Sequence, residues 1–101
     1  MPKLESYIEN EVRFRLLLWA KEHGRQLEVI KLKAAGSKGL PDRLLLWDGG
    51  GVLFVEFKQP GKKPTKYQLH IHDTLRRLGF EVQVHDNIAI AVEQITAKIQ
   101  S

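Results

Sequence analysis

The side chains of this chain best suited to chemistry are two carboxylates and one ammonium group, Asp42, Glu56 and Lys58. Asp42 follows Pro41 at the head of an apolar run, DRLLLWD, and Glu56 and Lys58 close a second run, VLFVEFK. Strand residues two apart share a face, so Glu56 and Lys58 project together while Phe57 turns away with Val55 and Leu53. Gly49, Gly50 and Gly51 between the runs can take the positive φ angles of a hairpin turn. A turn centred on Gly50 sets Asp42 opposite residue 58, which gathers all three groups at one sheet end.

That cluster has a direct chemical reading. Two adjacent acids resist joint ionisation unless a cation lies between them. A divalent ion held by Asp42, Glu56 and the backbone carbonyl of Phe57 would polarise a phosphodiester and lower the pKa of an attacking water. Lys58 would orient that water, help to deprotonate it, or stabilise the charge that develops on the phosphorane. Without chemistry, the same residues would be a same-face ion pair and an ordinary turn aspartate. The runs Leu44-Leu45-Leu46 and Leu53-Phe54-Val55 weigh against that reading, because they mark inner strands, where charge is costly.

The elements that must position these groups are legible from periodicity and punctuation. A helix is expected over residues 4–23, with Ile8, Val12, Leu16 and Trp19 as its buried stripe and Gly24 as its stop. Residues 27–33 alternate as a half-exposed strand, and the AAGSKG loop follows. Residues 42–48 and 52–58 read as covered strands. Thr65 and Gln68 have capping-box spacing at the start of a helix that runs to Leu78, with Leu69, Leu75 and Leu78 as its apolar face. A strand at 80–84 and a helix over 88–99, capped by Asn87, complete the order α-β-β-β-α-β-α. The fold class is α/β, a mixed central sheet flanked by helices.

Composition narrows the chemistry. At 101 residues, 43% of them hydrophobic, the chain fits one domain spanning 1–101. It has no cysteine, which excludes disulfides and thiolate metal sites and favours a hard ion such as Mg²⁺ or Mn²⁺. The net charge of +4 suits a polyanionic partner. No apolar run reaches the roughly 18 residues of a membrane span, and MPKLESYIEN lacks a signal-peptide core, so an intracellular, soluble protein is expected.

Gly39-Leu40-Pro41-Asp42-Arg43, then Glu56-Phe57-Lys58 fourteen residues after Asp42, then a helix opening Thr65-x-x-Gln68, together resemble the PD-(D/E)xK nuclease superfamily. The branch is that of the virus-type replication-repair nucleases, VRR-NUC, of the stand-alone phage and bacterial type. The likeness extends from about Glu5 to Val92. It implies a restriction-endonuclease-like α-β-β-β-α-β core with an added C-terminal helix, Asp42 and Glu56 as metal ligands, Lys58 as catalytic lysine and Gln68 as an active-site helper. It also implies an Mg²⁺ or Mn²⁺ requirement, a cytoplasmic setting, and homodimers that cut branched DNA such as Holliday junctions. A glutamate from the first helix usually joins the site. Glu5 fits the E-x-x-I start best, and Glu9 and Glu11 are alternatives.

For a DNA surface the candidates are Lys33, Lys38, Arg43, Lys62, Lys63 and Lys66, in segments flanking the acids. Contacts there would be made to phosphates and would be sensitive to salt. His70 and His72, two apart on a helix, make a poor metal pair. His23 and His85 are expected at the surface, and no histidine is given a role. Phe14, Leu17 and Leu18 are surplus apolar residues available to a dimer interface or to internal packing. The function expected is metal-dependent hydrolysis of DNA phosphodiester bonds. The alternatives are a flap- or end-trimming nuclease and a DNA-binding module of the same fold that has lost catalysis.

Overall fold

The structure is a computed structural model describing residues 4–32 and 39–101. Among the described residues the elements run α1 (Leu4–Glu22), β1 (Leu27–Lys31), β2 (Arg43–Trp47), β3 (Gly51–Phe57), α2 (Lys66–Arg77), β4 (Val82–His85) and α3 (Ile88–Gln100). The strands form one mixed sheet in the order β1-β2-β3-β4, antiparallel through the first three and parallel between β3 and β4. The α2 crossover allows that parallel step. No helix among the described residues is long and apolar enough to cross a membrane.

One sheet face carries the apolar core. Leu45, Leu53, Val55 and Phe57 pack there against Ile8, Val12 and Leu16 of α1 and Ala91, Ile95 and Ile99 of α3. Both caps expected for the later helices are present. The Thr65 hydroxyl accepts from Gln68 N while the Gln68 side chain accepts from Thr65 N, and Asn87 Oδ1 accepts from Ile90 N.

Three expectations are corrected. Gly51 belongs to β3, not to the turn: it pairs with Trp47, whose indole lies where a side chain on Gly51 would stand, so Asp48-Gly49-Gly50 make the connection. The last strand starts at Val82, because Phe80 N bonds back to Leu75 O and closes α2 after the positive-φ Gly79. The face that α2 buries is not its leucine stripe. Leu69 and Leu78 are exposed, and the buried residue is His72, one turn after the half-buried Gln68.

His85 is likewise buried, not superficial. Its Nε2 lies 2.7 Å from Gln83 Oε1, an oxygen that only accepts, so Nε2 carries the proton. Burial holds its pKa below the ordinary 6.5, with the Asp86 charge opposing. Above that value both folded and unfolded chains are neutral at this ring. As the pH falls below it, the unfolded chain takes up the proton first and stability drops. The urea midpoint is expected to fall between about pH 7.5 and about pH 5.5, with a limit near 1.4 kcal/mol per pH unit for each such histidine, and to fall less in His85→Gln. Equal pH dependence in the two proteins would show that His85 does not contribute.

Candidate active site

Asp42 and Glu56 meet because of strand register. β2 and β3 pair Trp47 with Gly51 and Arg43 with Val55, so one step further Asp42 lies across from Glu56. This corrects the expectation that placed Asp42 opposite Lys58, an offset caused by centring the turn on Gly50. Neighbouring strands pin both backbones just outside the ladders. Leu32 N donates to Asp42 O at 3.0 Å, and Lys58 N donates to His85 O at 2.9 Å. The Asp42 carboxylate is oriented as well, since its Oδ2 accepts from the Phe57 amide at 2.8 Å. The approach to Asp42 needs a glycine. Gly39 has φ of +79°, and a Cβ there would stand 2.7 Å from the Tyr67 ring and 2.9 Å from Ile71, both on α2.

The Glu56 carboxylate is 1% exposed and lies under α2. Its Oε2 accepts from Gln68 Nε2 at 3.2 Å and has Lys58 Nζ at 4.0 Å. Its Oε1 lies 3.6 Å from His72 Nε2. Burial is the main reason that the His72 pKa is lowered, and the positive charges of Arg76 and Lys58 add to it against the Asp42 charge. The imidazole is therefore neutral at physiological pH.

The donors at this end of the sheet are hard oxygens: two carboxylates on facing strands and the Phe57 carbonyl between Glu56 and Lys58. That set suits Mg²⁺ or Mn²⁺. Among the described residues no group of three His, Cys, Asp or Glu side chains converges to hold an ion.

No family model matches the sequence. In three dimensions, 94% of the chain aligns with 97% of a solved VRR_NUC domain, at a TM-score of 0.74 and 26% identity. The chain has the fold of a VRR_NUC domain. In sequence it is 47% identical over 57 residues to "Putative nuclease p44" of Acyrthosiphon pisum secondary endosymbiont phage 1, a stretch covering 56% of this chain and 61% of the phage protein.

The chain brings Asp42, Glu56, Phe57, Lys58 and Gln68 to one place. The other expected residues are scattered around it. Glu5 is half-buried in the first turn of α1 and makes no ion pair among the described residues. Glu9, a turn later, is buried and held by Arg43 Nε and, at 3.5 Å, by Lys31 Nζ. Glu11 pairs with Arg15 at 3.0 Å along the helix. Lys62, Lys63 and Lys66 are exposed near the α2 end of the site, and Lys33 and Lys38 lie outside the described residues. Arg43, expected at the DNA surface, is buried instead, with its side chain under α1 against Glu9. Strand alternation explains this, because Arg43 shares a face with Val55, its partner in the core.

Sequence reasoning gave His72 no role, yet the structure buries it beside Glu56. The signal was present in its spacing four residues after Gln68, which places both on one helix face. For Arg43, the structure implies a stabilising role. Arg43→Ala strands a buried carboxylate, so a loss of roughly 3 kcal/mol in urea unfolding is expected, partly recovered in the double variant with Glu9→Gln. Unchanged stability with weaker, more salt-sensitive DNA binding would instead return Arg43 to the nucleic-acid surface.

Proposed function

We propose that this chain is a nuclease of the VRR-NUC type, a divalent-metal-dependent endonuclease that hydrolyses DNA phosphodiester bonds and prefers branched or otherwise structured DNA. The observation that carries the reading is the Glu56 carboxylate, buried on an inner strand beside Asp42 and approached by Lys58 and Gln68. A carboxylate so deeply buried is costly unless charge or hydrogen bonds compensate it, and a divalent ion shared with Asp42 supplies both charge and purpose.

In this reading Asp42, Glu56 and the Phe57 carbonyl hold Mg²⁺ or Mn²⁺. The ion, once bound, provides Lewis-acid polarisation of the scissile phosphate. Lys58 orients the attacking water or stabilises charge on the reacting phosphate, and its ammonium lies 4.0 Å from Glu56 at the same sheet end. Gln68 holds Glu56 while its own side-chain oxygen caps α2, so one residue serves both helix and site. Of the α1 acids, Glu5 is the one assigned to the site, since Glu9 and Glu11 are engaged by cations. The exposed Lys62, Lys63 and Lys66, with Lys33 and Lys38, would bind phosphates without reading sequence. A homodimer is supported by the exposed apolar residues Leu4, Tyr7, Phe14 and Leu18 on α1, away from its buried stripe.

The test is incubation of the protein with a labelled four-way junction and a linear duplex, in Mg²⁺, in Mn²⁺ and in EDTA. Cleavage is expected with either metal and not in EDTA, faster on the junction, with paired symmetric cuts that report two sites in a dimer. Asp42→Asn and Lys58→Ala are expected to lower the rate by roughly a hundred- to ten-thousand-fold while DNA binding persists. Binding without cleavage under every metal condition would identify a non-catalytic DNA-binding module instead.

A further inference from the structure

His72 is fully buried, and the chemistry above gives it no task. Among the described residues neither ring nitrogen has a hydrogen-bond partner, which is uncommon for a polar side chain with no access to water. Where the sheet's other face needs only packing, the chain uses Ile, Val and Leu. At residue 72, a similarly enclosed position, it uses a ring with two polar atoms.

The neighbours of that ring explain the choice. Nε2 points to Glu56 Oε1 at 3.6 Å, slightly beyond hydrogen-bond range, while Gln68 Nε2 reaches the other oxygen, Oε2, at 3.2 Å. Gln68 and His72 are one turn apart on α2, so a single helix face brings one N–H group to each oxygen of one carboxylate. Carboxylates that bind metals are commonly held in this way by hydrogen bonds from behind, and removing such a partner typically costs about 10- to 100-fold in metal affinity or activity.

We propose that His72 is a positioning residue for Glu56: its Nε2–H donates to Oε1 and, together with Gln68 on Oε2, fixes the carboxylate in the orientation that receives the cation. The inference rests on the metal-dependent reading of the site. It differs from direct ligation, in which the imidazole would itself bind the ion through an unprotonated nitrogen.

The experiment measures Mn²⁺ binding to the whole chain, by the loss of the free-ion electron paramagnetic resonance signal and by the metal-induced rise in Tm, in parent, His72→Leu, His72→Gln and Asp42→Asn. Glutamine places an N–H donor close to the position of the imidazole Nε2, whereas leucine fills the space without one. The expected result is Mn²⁺ affinity weakened about 10- to 100-fold in His72→Leu, restored to within a few-fold of the parent in His72→Gln, and apo Tm unimpaired in both. Parent-like affinity in His72→Leu would overturn the proposal, as would failure of His72→Gln to bind while still folded, which would point to ligation by the ring. If the leucine variant does not fold, ring ¹⁵N shifts of the parent titrated with Mg²⁺ decide instead. A fixed Nε2–H tautomer is expected, and a deprotonated, metal-shifted Nε2 would overturn the proposal. Absence of Mn²⁺ binding by the parent would remove the metal-dependent reading itself. Binding lost in Asp42→Asn but untouched in His72→Leu would remove only the role of His72.

Discussion

The molecule is organised around one awkward requirement, a carboxylate in the interior. Glu56 sits on the central strand of the sheet, almost without solvent, and burying an ionised acid there costs several kcal/mol unless its surroundings compensate. Every neighbouring element contributes. β2 brings Asp42 across from it, β3 itself supplies Lys58 two residues on, and α2 lays Gln68 and His72 over its two oxygens. β4 fixes the end of β3 by accepting from Lys58 N, and β1 fixes the start of β2 through Leu32 N and Asp42 O.

This requirement makes the two faces of the sheet unlike. The face toward α1 and α3 is an ordinary apolar core, in which Leu53, Val55 and Phe57 alternate with Glu56 along the same strand. Burial of those side chains, at roughly 25 cal/mol per Å² of apolar surface, supplies the stability that a polar opposite face cannot. Arg43 and Glu9 are the exception on the apolar side, an ion pair that closes the core beneath α1 at the same strand end as the acids. The stable half thus holds strand ends rigid, and the polar half uses that rigidity to fix the Asp42 and Glu56 carboxylates side by side. The near contact of Gly39 with Tyr67 and Ile71 shows how tightly the loop before Asp42 is drawn against α2.

Most of the framework could be read from the residues alone, because its signals are local. Glycines 24, 49, 50 and 79 end or turn elements, Thr65 and Asn87 cap helices, and the Ile8–Val12–Leu16 stripe packs as its spacing implies. The association of Asp42, Glu56 and Lys58 followed from strand alternation and a hairpin. The failures share a different cause. The register slipped by two because the indole of Trp47 occupies the space over Gly51, a tertiary fact that no turn rule contains. Leu69 and Leu78 looked like the inner face of α2, yet the helix covers a polar site, so it buries His72 and half-buries Gln68. Arg43 read as a surface cation because its partner Glu9 lies 34 residues away in sequence. In each case the deciding partner is distant along the chain.

The claim on which the rest stands is that the ends of β2 and β3 share one cation. Anomalous scattering from a crystal of the protein soaked in Mn²⁺ addresses it directly. A single strong peak is expected between the Asp42 and Glu56 carboxylates, at about 2.2 Å from an oxygen of each and near the Phe57 carbonyl, with Lys58 close by. A peak elsewhere on the surface, or carboxylates that stay empty at saturating Mn²⁺, would contradict the account and leave Glu56 as a buried structural acid.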